Sequence, residues 1–325
     1  MDPKFTEEIT ADDGTVVYRL ADTTHYRTDP EVTSLVIREG DMPFVGTRVC
    51  PRAPVNMFTF AYHKFGSEHQ ELFDTHRGPG QRVKVADITR SREVSELEHH
   101  ALAVPFDRVY DGHAWGEVPV DWKVEKANVV RIIQERMLEH AISTVLRTQA
   151  SYTNKATPST KWGAGSETPV TDIDTAINTV EDAVGIRPQV MLIGDTAWRK
   201  LKRISDITDR IKYANPEYAR KASVTAAMVA DIFDLEEVIV ASSSYKNAAG
   251  VMTKFWGDDV IICVRPPAPG VGVPSFAYTF TLRGYPVAIA FSDEAAMSDY
   301  IGWADGRKPK IVGDTFGYLL YGTTA

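Results

Sequence analysis

An α+β architecture is expected from three features of this 325-residue sequence. Residues 121–149 carry one long amphipathic helical pattern, residues 170–265 alternate helix and strand patterns, and residues 276–325 are almost wholly strand and turn. The length suits about two domains at ~150 residues each. With 43% hydrophobic and 25% charged residues, the chain can bury a large core without disulfides or metals, and disorder of the whole chain is excluded. No run approaches the ~20 apolar residues of a membrane span. Met1-Asp2-Pro3-Lys4-Phe5 has neither a basic start nor an apolar stretch, so no secretory signal is expected.

Residues 1–40 hold nine acids and four bases, a net −5 out of −8 for the chain. Short apolar groups (Val16-Val17-Tyr18, Leu35-Val36-Ile37) are separated by acidic and Thr-rich stretches, which predicts an extended arm lying on another surface. An acidic total also argues against a surface built for nucleic acid, where a basic face is the usual footprint.

Residues 41–118 carry few core residues for their length. Val55 to Phe65 is β-prone and aromatic, Gly78-Pro79-Gly80 marks a break, Val83 to Ile88 alternates as a strand does, and Ala101 to Val104 is a second short apolar stretch. The pattern predicts a long two-stranded excursion. At ~3.3 Å per residue it would project several tens of Å, and an isolated hairpin of that kind needs a partner surface.

Asp121 can cap the long helix. Val129, Ile133, Met137, Ala141 and Val145 form one row of it, and Val130, Leu138, Ile142 and Leu146 form the adjacent row, interrupted by Gln134. The other side takes Arg131, Glu135, Arg136, Glu139, Ser143 and Arg147, so a broad apolar face is expected to be buried. Tyr152 to Pro169 reads as a loop. Thr171 and Asp174 suggest an acidic capping box for a helix that stops at Gly185. Val190 to Ile193 and Val238 to Ala241 read as buried strands, with helices starting at Asp195 and Val224. Phe255-Trp256, Gly257-Asp258 and Val260 to Ile262 suggest a tight hairpin. Arg265 to Pro274 holds four prolines and two glycines and reads as a stiff crossing. Strands are expected at Phe276 to Leu282, Val287 to Phe291, Met297 to Trp303 and Phe316 to Tyr321. Trp198, Trp256 and Trp303 lie in apolar strings and are expected in the core.

Catalytic motifs are missing. There is no Gly-x-Ser-x-Gly elbow, P-loop, dinucleotide glycine pattern or His-Glu-x-x-His. Gly163-Ala164-Gly165 lacks the strand and lysine of a phosphate loop. Six of the eight histidines fall at 63–113 (His63, His69, His76, His99, His100 and His113), but their spacing fits no metal template. Asp258-Asp259 is explained more simply by turn chemistry than by acid–base work. Cys50 and Cys263 sit in apolar strand-like runs and are expected as free buried thiols. Arg199-Lys200-Leu201-Lys202-Arg203 is a basic cluster that could touch nucleic acid, meet an acidic arm, or form a solvated helix face.

The order of parts resembles the major capsid proteins of tailed bacteriophages, which have the Hong Kong 97-type fold. Arg187 to Gly194 followed by Ala197 to Leu201 looks like a strand and helix of that family's axial domain, and Val238 to Tyr245 is similar to a strand that recurs there. The most family-like stretch runs from Phe255 to Val260, through Pro266 to Gly270, to Ser275-Phe276-Ala277-Tyr278-Thr279-Phe280. The resemblance implies an N-arm at 1–40, an extended β-hairpin E-loop with its flanking strands at 41–118, and a peripheral domain with the spine helix at 119–164. It implies an α/β axial domain at 165–275 and return strands of the peripheral domain at 276–325.

The resemblance further implies a structural protein and not an enzyme. Its subunits would assemble as hexamers and pentamers into an icosahedral shell around double-stranded DNA, located in the virion and put together in the bacterial host cytoplasm. Portal and scaffolding proteins are the implied partners, with a decoration protein as an optional one. DNA contact would be without sequence specificity, and no cofactor, metal or membrane is implied. Phe58, Phe60, Tyr62 and Phe65 are expected to be buried by a neighbouring subunit. Arg77, Arg82, Arg199, Lys202 and Arg203 are expected as further intersubunit contacts, with the spine segment and the Arg199–Arg203 cluster offering cations to an acidic arm.

Some family members cross-link a Lys to an Asn with the help of a Glu. Lys64 or Lys84 could supply the amine, but the last asparagine is Asn247, so no cross-link is expected. No long helical segment precedes the arm, so scaffolding is expected from a separate protein or a removed piece. Two other readings are a cellular nanocompartment shell of the same fold and a metal-dependent enzyme using the histidines at 63–113.

Overall fold

A computed structural model describes residues 6–10, 16–20, 27–28, 44–66, 74–80, 82–83, 91–107, 122–214, 224–266 and 268–325. In chain order the elements begin with β1 (Thr6–Thr10), β2 (Val16–Leu20), β3 (Arg27–Thr28) and the short helix α1 (Gly46–Val49). Then come β4 (Arg52–Val55), β5 (Thr59–His63), β6 (Arg92–Glu96), β7 (Glu98–Asp107) and the long helix α2 (Trp122–Arg147). They continue with β8 (Asn154–Ala156), α3 (Pro169–Val184), β9 (Val190–Gly194), α4 (Asp195–Leu201), α5 (Ser205–Ala214), α6 (Ala226–Phe233) and β10 (Glu237–Ala241). The last are β11 (Ser244–Lys246), β12 (Met252–Lys254), β13 (Val260–Cys263), β14 (Ala277–Leu282), β15 (Val287–Asp293), β16 (Ser298–Ile311) and β17 (Gly317–Leu320).

The chain folds into two compact units, each built from separated pieces of sequence. The first comprises Met1–Gly40, His99–Gln134 and Gly284–Asp305, and the second Asp41–Glu98, Glu135–Arg283 and Gly306–Ala325. Helix α2 and strand β16 each give their first half to one unit and their second half to the other.

In the first unit, β1 and β2 form an antiparallel hairpin, and β15 pairs antiparallel with the start of β16 on one side and with β3 on the other. Strand β7 also pairs with β16. Gly302 is needed there, because a Cβ would stand 2.5 Å from the Leu102 carbonyl. A small core of Ala127, Val130, Ala288, Ile301 and Trp303 closes this unit.

The second unit is organised on a five-stranded sheet ordered β10-β9-β13-β17-β8. Val190 to Ile193 are all buried, as a strand covered on both faces requires. Strand β10 runs parallel to β9, while β13 is antiparallel to both β9 and β17. Helix α3 has Pro169 in its first turn and ends at Gly185, whose φ of 65° is left-handed and whose N–H donates to the Glu181 carbonyl. The expected capping box is not used, since the helix starts at Pro169 with no side-chain cap. A second sheet region pairs the end of β16 with β14, and β14 with β4.

Several expectations are corrected. The Phe255 to Ile262 stretch is not a hairpin, because β12 pairs with β11 and β13 pairs with β9 and β17. Strand β8, which pairs with β17, lies inside the expected loop at 152–169, and α5 was not expected at all. Residues 84–88 of the expected strand Val83 to Ile88 lie outside the described residues. Cys50 sits just past α1 and not in a strand, yet it and Cys263 are free and buried as expected. Trp198, Trp256 and Trp303 are all buried.

The largest correction concerns α2. Its buried stripe is Ala127, Val130, Gln134, Leu138, Ile142 and Leu146, joined by Glu139 and Ser143, which the hydropathy pattern places outside. The first part of the other apolar row faces outward, with Val129 48%, Ile133 37% and Met137 55% exposed, while Val145 at its end packs half-buried against the core. A helix of 3.6 residues per turn can turn only part of so wide a face inward. Here the face containing Glu139 prevails, because that carboxylate has hydrogen-bond donors waiting for it.

Candidate intersubunit surface

The expected aromatic contact begins at the base of the β5–β6 hairpin. These strands pair antiparallel with Ala61 opposite Val94 and Tyr62 opposite Glu93. Alternation sends Phe60 and Tyr62 inward, where both rings meet Phe280 of β14 at centroid distances of 4.5 and 5.3 Å. Phe65 is buried as well, and its N–H donates to the Val312 carbonyl at 2.9 Å. Phe60, Tyr62 and Phe65 therefore find their cover inside their own chain. This corrects the expectation that a neighbour buries them. Phe58 differs, being 41% exposed beside the exposed Met57, with Val94 of β6 also exposed.

Next to this base lies a polar cluster. The Tyr62 hydroxyl donates to Glu93 Oε2 at 2.6 Å, and Lys64 Nζ lies 2.6 Å from Glu93 Oε1. Lys64 and the Tyr62 hydroxyl together hold the Glu93 carboxyl below its ordinary range. Burial and the nearby Glu93 push the Tyr62 hydroxyl up. The cluster edges an open cleft of about 560 Å³ lined by Lys64, Glu93, Thr148, Lys308, Lys310 and Asp314, among others. Lys308 pairs with Glu98, so much of the cleft's positive charge is already neutralised. Lys84 lies outside the described residues.

The expected cationic contacts are scattered. Arg77 and Arg82 are exposed. Arg199 is exposed but ion-paired with Asp195 at 2.9 Å, a carboxylate that also takes Lys254. Lys202 and Arg203 follow on the turn after α4, and neither has a carboxylate within ion-pair distance among the described residues. The structure thus brings three of the predicted aromatics together in a core and leaves Phe58 and the arginines on surfaces.

Sequence reasoning missed the apolar surface of α2 made by Val129, Ile133 and Met137. The signal was present as two adjacent apolar rows, more than one core-facing stripe requires. Exposed apolar side chains in a row on one element mark a candidate interaction surface. Val251 and Met252, at the turn of the β11–β12 hairpin, are exposed in the same way.

Among the described residues, no group of three His, Cys, Asp or Glu side chains is placed to hold a metal ion. His63 ends β5, His76 lies in an irregular stretch and His99 and His100 are consecutive on β7, while His69 and His113 are outside the described residues. Burial pushes both thiols, Cys50 and Cys263, up to about 12. No helix among the described residues is long and apolar enough to cross a membrane.

No family model matches the chain. The chain is 24% identical over 302 residues to the major capsid protein of Burkholderia phage BcepMu, covering 90% of this chain and 96% of that one. Among solved structures, it matches a phage-related protein from Bordetella bronchiseptica RB50 at 25% identity and a TM-score of 0.75, over 90% and 96% of the two chains. It also matches the capsid of cyanophage P-SCSP1u at 10% identity and a TM-score of 0.54, over 94% and 91% of the chains, a likeness of fold alone.

Proposed function

We infer that this chain is the major capsid protein of a tailed phage, with the Hong Kong 97-type fold, and that it builds the icosahedral shell of the phage head. The observation that carries this reading is the match to the BcepMu major capsid protein along nearly the whole of both chains. It is a structural protein of the virion, not an enzyme, and it associates with itself into capsomers.

The finer parts are proposed from position and pattern. Residues 1–40 act as the N-arm, about 50–110 as the E-loop, α2 as the spine helix, about 165–275 as the axial domain, and the final strands as the peripheral return. Hexamers and pentamers enclose double-stranded DNA, and a nearly neutral body with an acidic arm favours sliding of that DNA over tight binding. Portal and scaffolding proteins complete the head. Phe58, Arg77, Arg82, Lys202 and Arg203 remain proposed intersubunit contacts. The exposure of Phe58, Arg77, Arg82 and Arg203 supports this, and Lys202 is half-buried. Arg199 is a weaker member, since Asp195 already holds it.

Particle mass tests the reading. Light scattering and negative-stain microscopy of the purified protein, alone and with phage partners, should show closed shells. A permanent monomer of 36.1 kDa under both conditions would sink it. Deleting residues 66–82 should leave the five-stranded sheet folded and abolish shells. Normal shells from that deletion would refute the E-loop placement.

A further inference from the structure

Helix α2 is a single element from Trp122 to Arg147, so the helix alone fixes how its side chains are spread around its axis. At 3.6 residues per turn, Glu125, Val129, Ile133 and Arg136 fall within ~80° of arc on the outward side. All four are exposed. Neither Glu125 nor Arg136 has an opposite charge within ion-pair distance among the described residues. Their neighbours on the same side are engaged elsewhere. Lys126 Nζ donates to the Pro105 carbonyl at 2.9 Å and stands over the Phe106 ring, and His140 packs edge-on against Tyr245 and Phe255. An acid in the first turn of a helix is favoured by the helix dipole. That accounts for Glu125 and leaves the two apolar residues and Arg136 without a reason.

Along this line the order is acid, apolar, apolar, base. A pattern of that kind complements itself when a second copy is laid against it in the opposite direction. The pairs Val129–Ile133 and Glu125–Arg136 both have their midpoint at about residue 131, so one antiparallel register satisfies both. Glu125 and Arg136 stand eleven residues apart, ~16 Å along the axis, too far to pair within one copy.

We propose that α2 packs antiparallel on α2 of a second copy of this chain across a two-fold axis. Val129 of each copy meets Ile133 of the other, and two Glu125–Arg136 ion pairs flank this apolar centre. Exposed apolar side chains in a row invite such cover, and the unpaired charges choose the partner and its direction. The proposal rests on the shell reading, because an icosahedral shell has two-fold axes at which one surface meets its own copy. A single helix pair covers less than the ~1,200–2,000 Å² of a stable interface, so this contact supports assembled particles and makes no lasting dimer alone.

Charge reversal tests the pairing on the full-length chain, assembled with its phage partners. Glu125→Arg and Arg136→Glu each set like charges opposite one another twice per two-fold contact. Each should lower particle yield by about fivefold or more, as two reversed surface-type ion pairs would. The double variant Glu125→Arg/Arg136→Glu restores opposite charges and should return to within about twofold of the wild-type yield. A mixture of the two single variants should also yield more than either alone, since each complements the other. Glu125→Arg additionally loses its favourable place at the helix start, which a change at residue 136 cannot restore. Recovery in the double variant therefore separates pairing between copies from stability of the helix. If a reversal does not fold, Glu125→Gln and Arg136→Gln take its place. Their yield losses should then be non-additive, because either one removes the same pair.

Wild-type yields from the single reversals would overturn the proposal. So would a double variant no better than the singles, which would mean that something other than a second α2 covers this row. Additive losses in the glutamine variants would count against it in the same way. Wild-type protein that never forms particles would instead overturn the shell reading, and the two-fold contact would fall with it.

Discussion

The ring of Phe60 stands against that of Phe280 with centroids 4.5 Å apart and an interplanar angle of 45°. This contact joins the base of the β5–β6 hairpin to β14, and Tyr62 adds a second ring against Phe280, with centroids 5.3 Å apart. Tilted aromatic packing of this kind adds stabilisation beyond the area it buries. The hairpin base is therefore part of the core of the second unit, whatever its more distant residues do.

Phe280 is fully buried, so Phe280→Ala should cost about 3–5 kcal/mol of stability. Urea unfolding should show a lower midpoint with an unchanged slope. Phe58→Ala should stay within about 0.5 kcal/mol of wild type, as expected of a half-exposed side chain away from the core. Equal losses from the two substitutions would contradict the division between buried and exposed aromatics.

Ile133→Lys and Met137→Lys place a charge on the outward row of α2. Each should leave the folded subunit within about 0.5 kcal/mol of wild type, since both sites are exposed. Both should lower shell yield if this row meets a neighbour. A large drop in melting temperature for either would mean that the row is buried within the subunit.

Glu93 predicts a pH dependence. Its folded pKa is lowered from 4.5, chiefly by Lys64 and then by the Tyr62 hydroxyl. A depressed carboxylate stabilises the fold above its unfolded pKa and loses that contribution as the pH falls through the folded value. Stability measured from pH 7 downward should therefore hold until about the ordinary glutamate range, ~4.3, and then decline. Glu93→Gln should flatten that decline, and an identical acid limb in the variant would remove Glu93 as its source.

Cys50 and Cys263 are fully buried, with thiols pushed up to about 12. Native protein at pH 8 should resist iodoacetamide, because the reactive thiolate is scarce and shielded. Mass spectrometry should find two added groups only after denaturation. Rapid labelling of the native protein would show that one of these sites opens to solvent.

How much was legible in the sequence follows from the range of each interaction. The helix at Trp122–Arg147, the apolar run Val190–Gly194 and the stop at Gly185 were all readable. Periodicity, continuous apolar runs and the left-handed preference of glycine are properties of neighbouring residues. The partners of β13 were not readable, because Val260 meets Leu320 on one side and Ile193 on the other, both far along the chain.

The candidate surface divides in the same way. Aromatic strings and a wide apolar helix announced that something must be covered, and local chemistry alone determined that much. Only the tertiary structure decided which members are covered from within. Phe280 arrives from β14 to bury Phe60 and Tyr62, while Val45, Gly46, Ser243 and Trp256 converge on Glu139 and turn that side of α2 inward. Burial of an acid depends on donors brought from distant segments, and no count of local hydropathy contains them. For that reason Met137, apolar by type, stands in the open, and Glu139, charged by type, lies in the core.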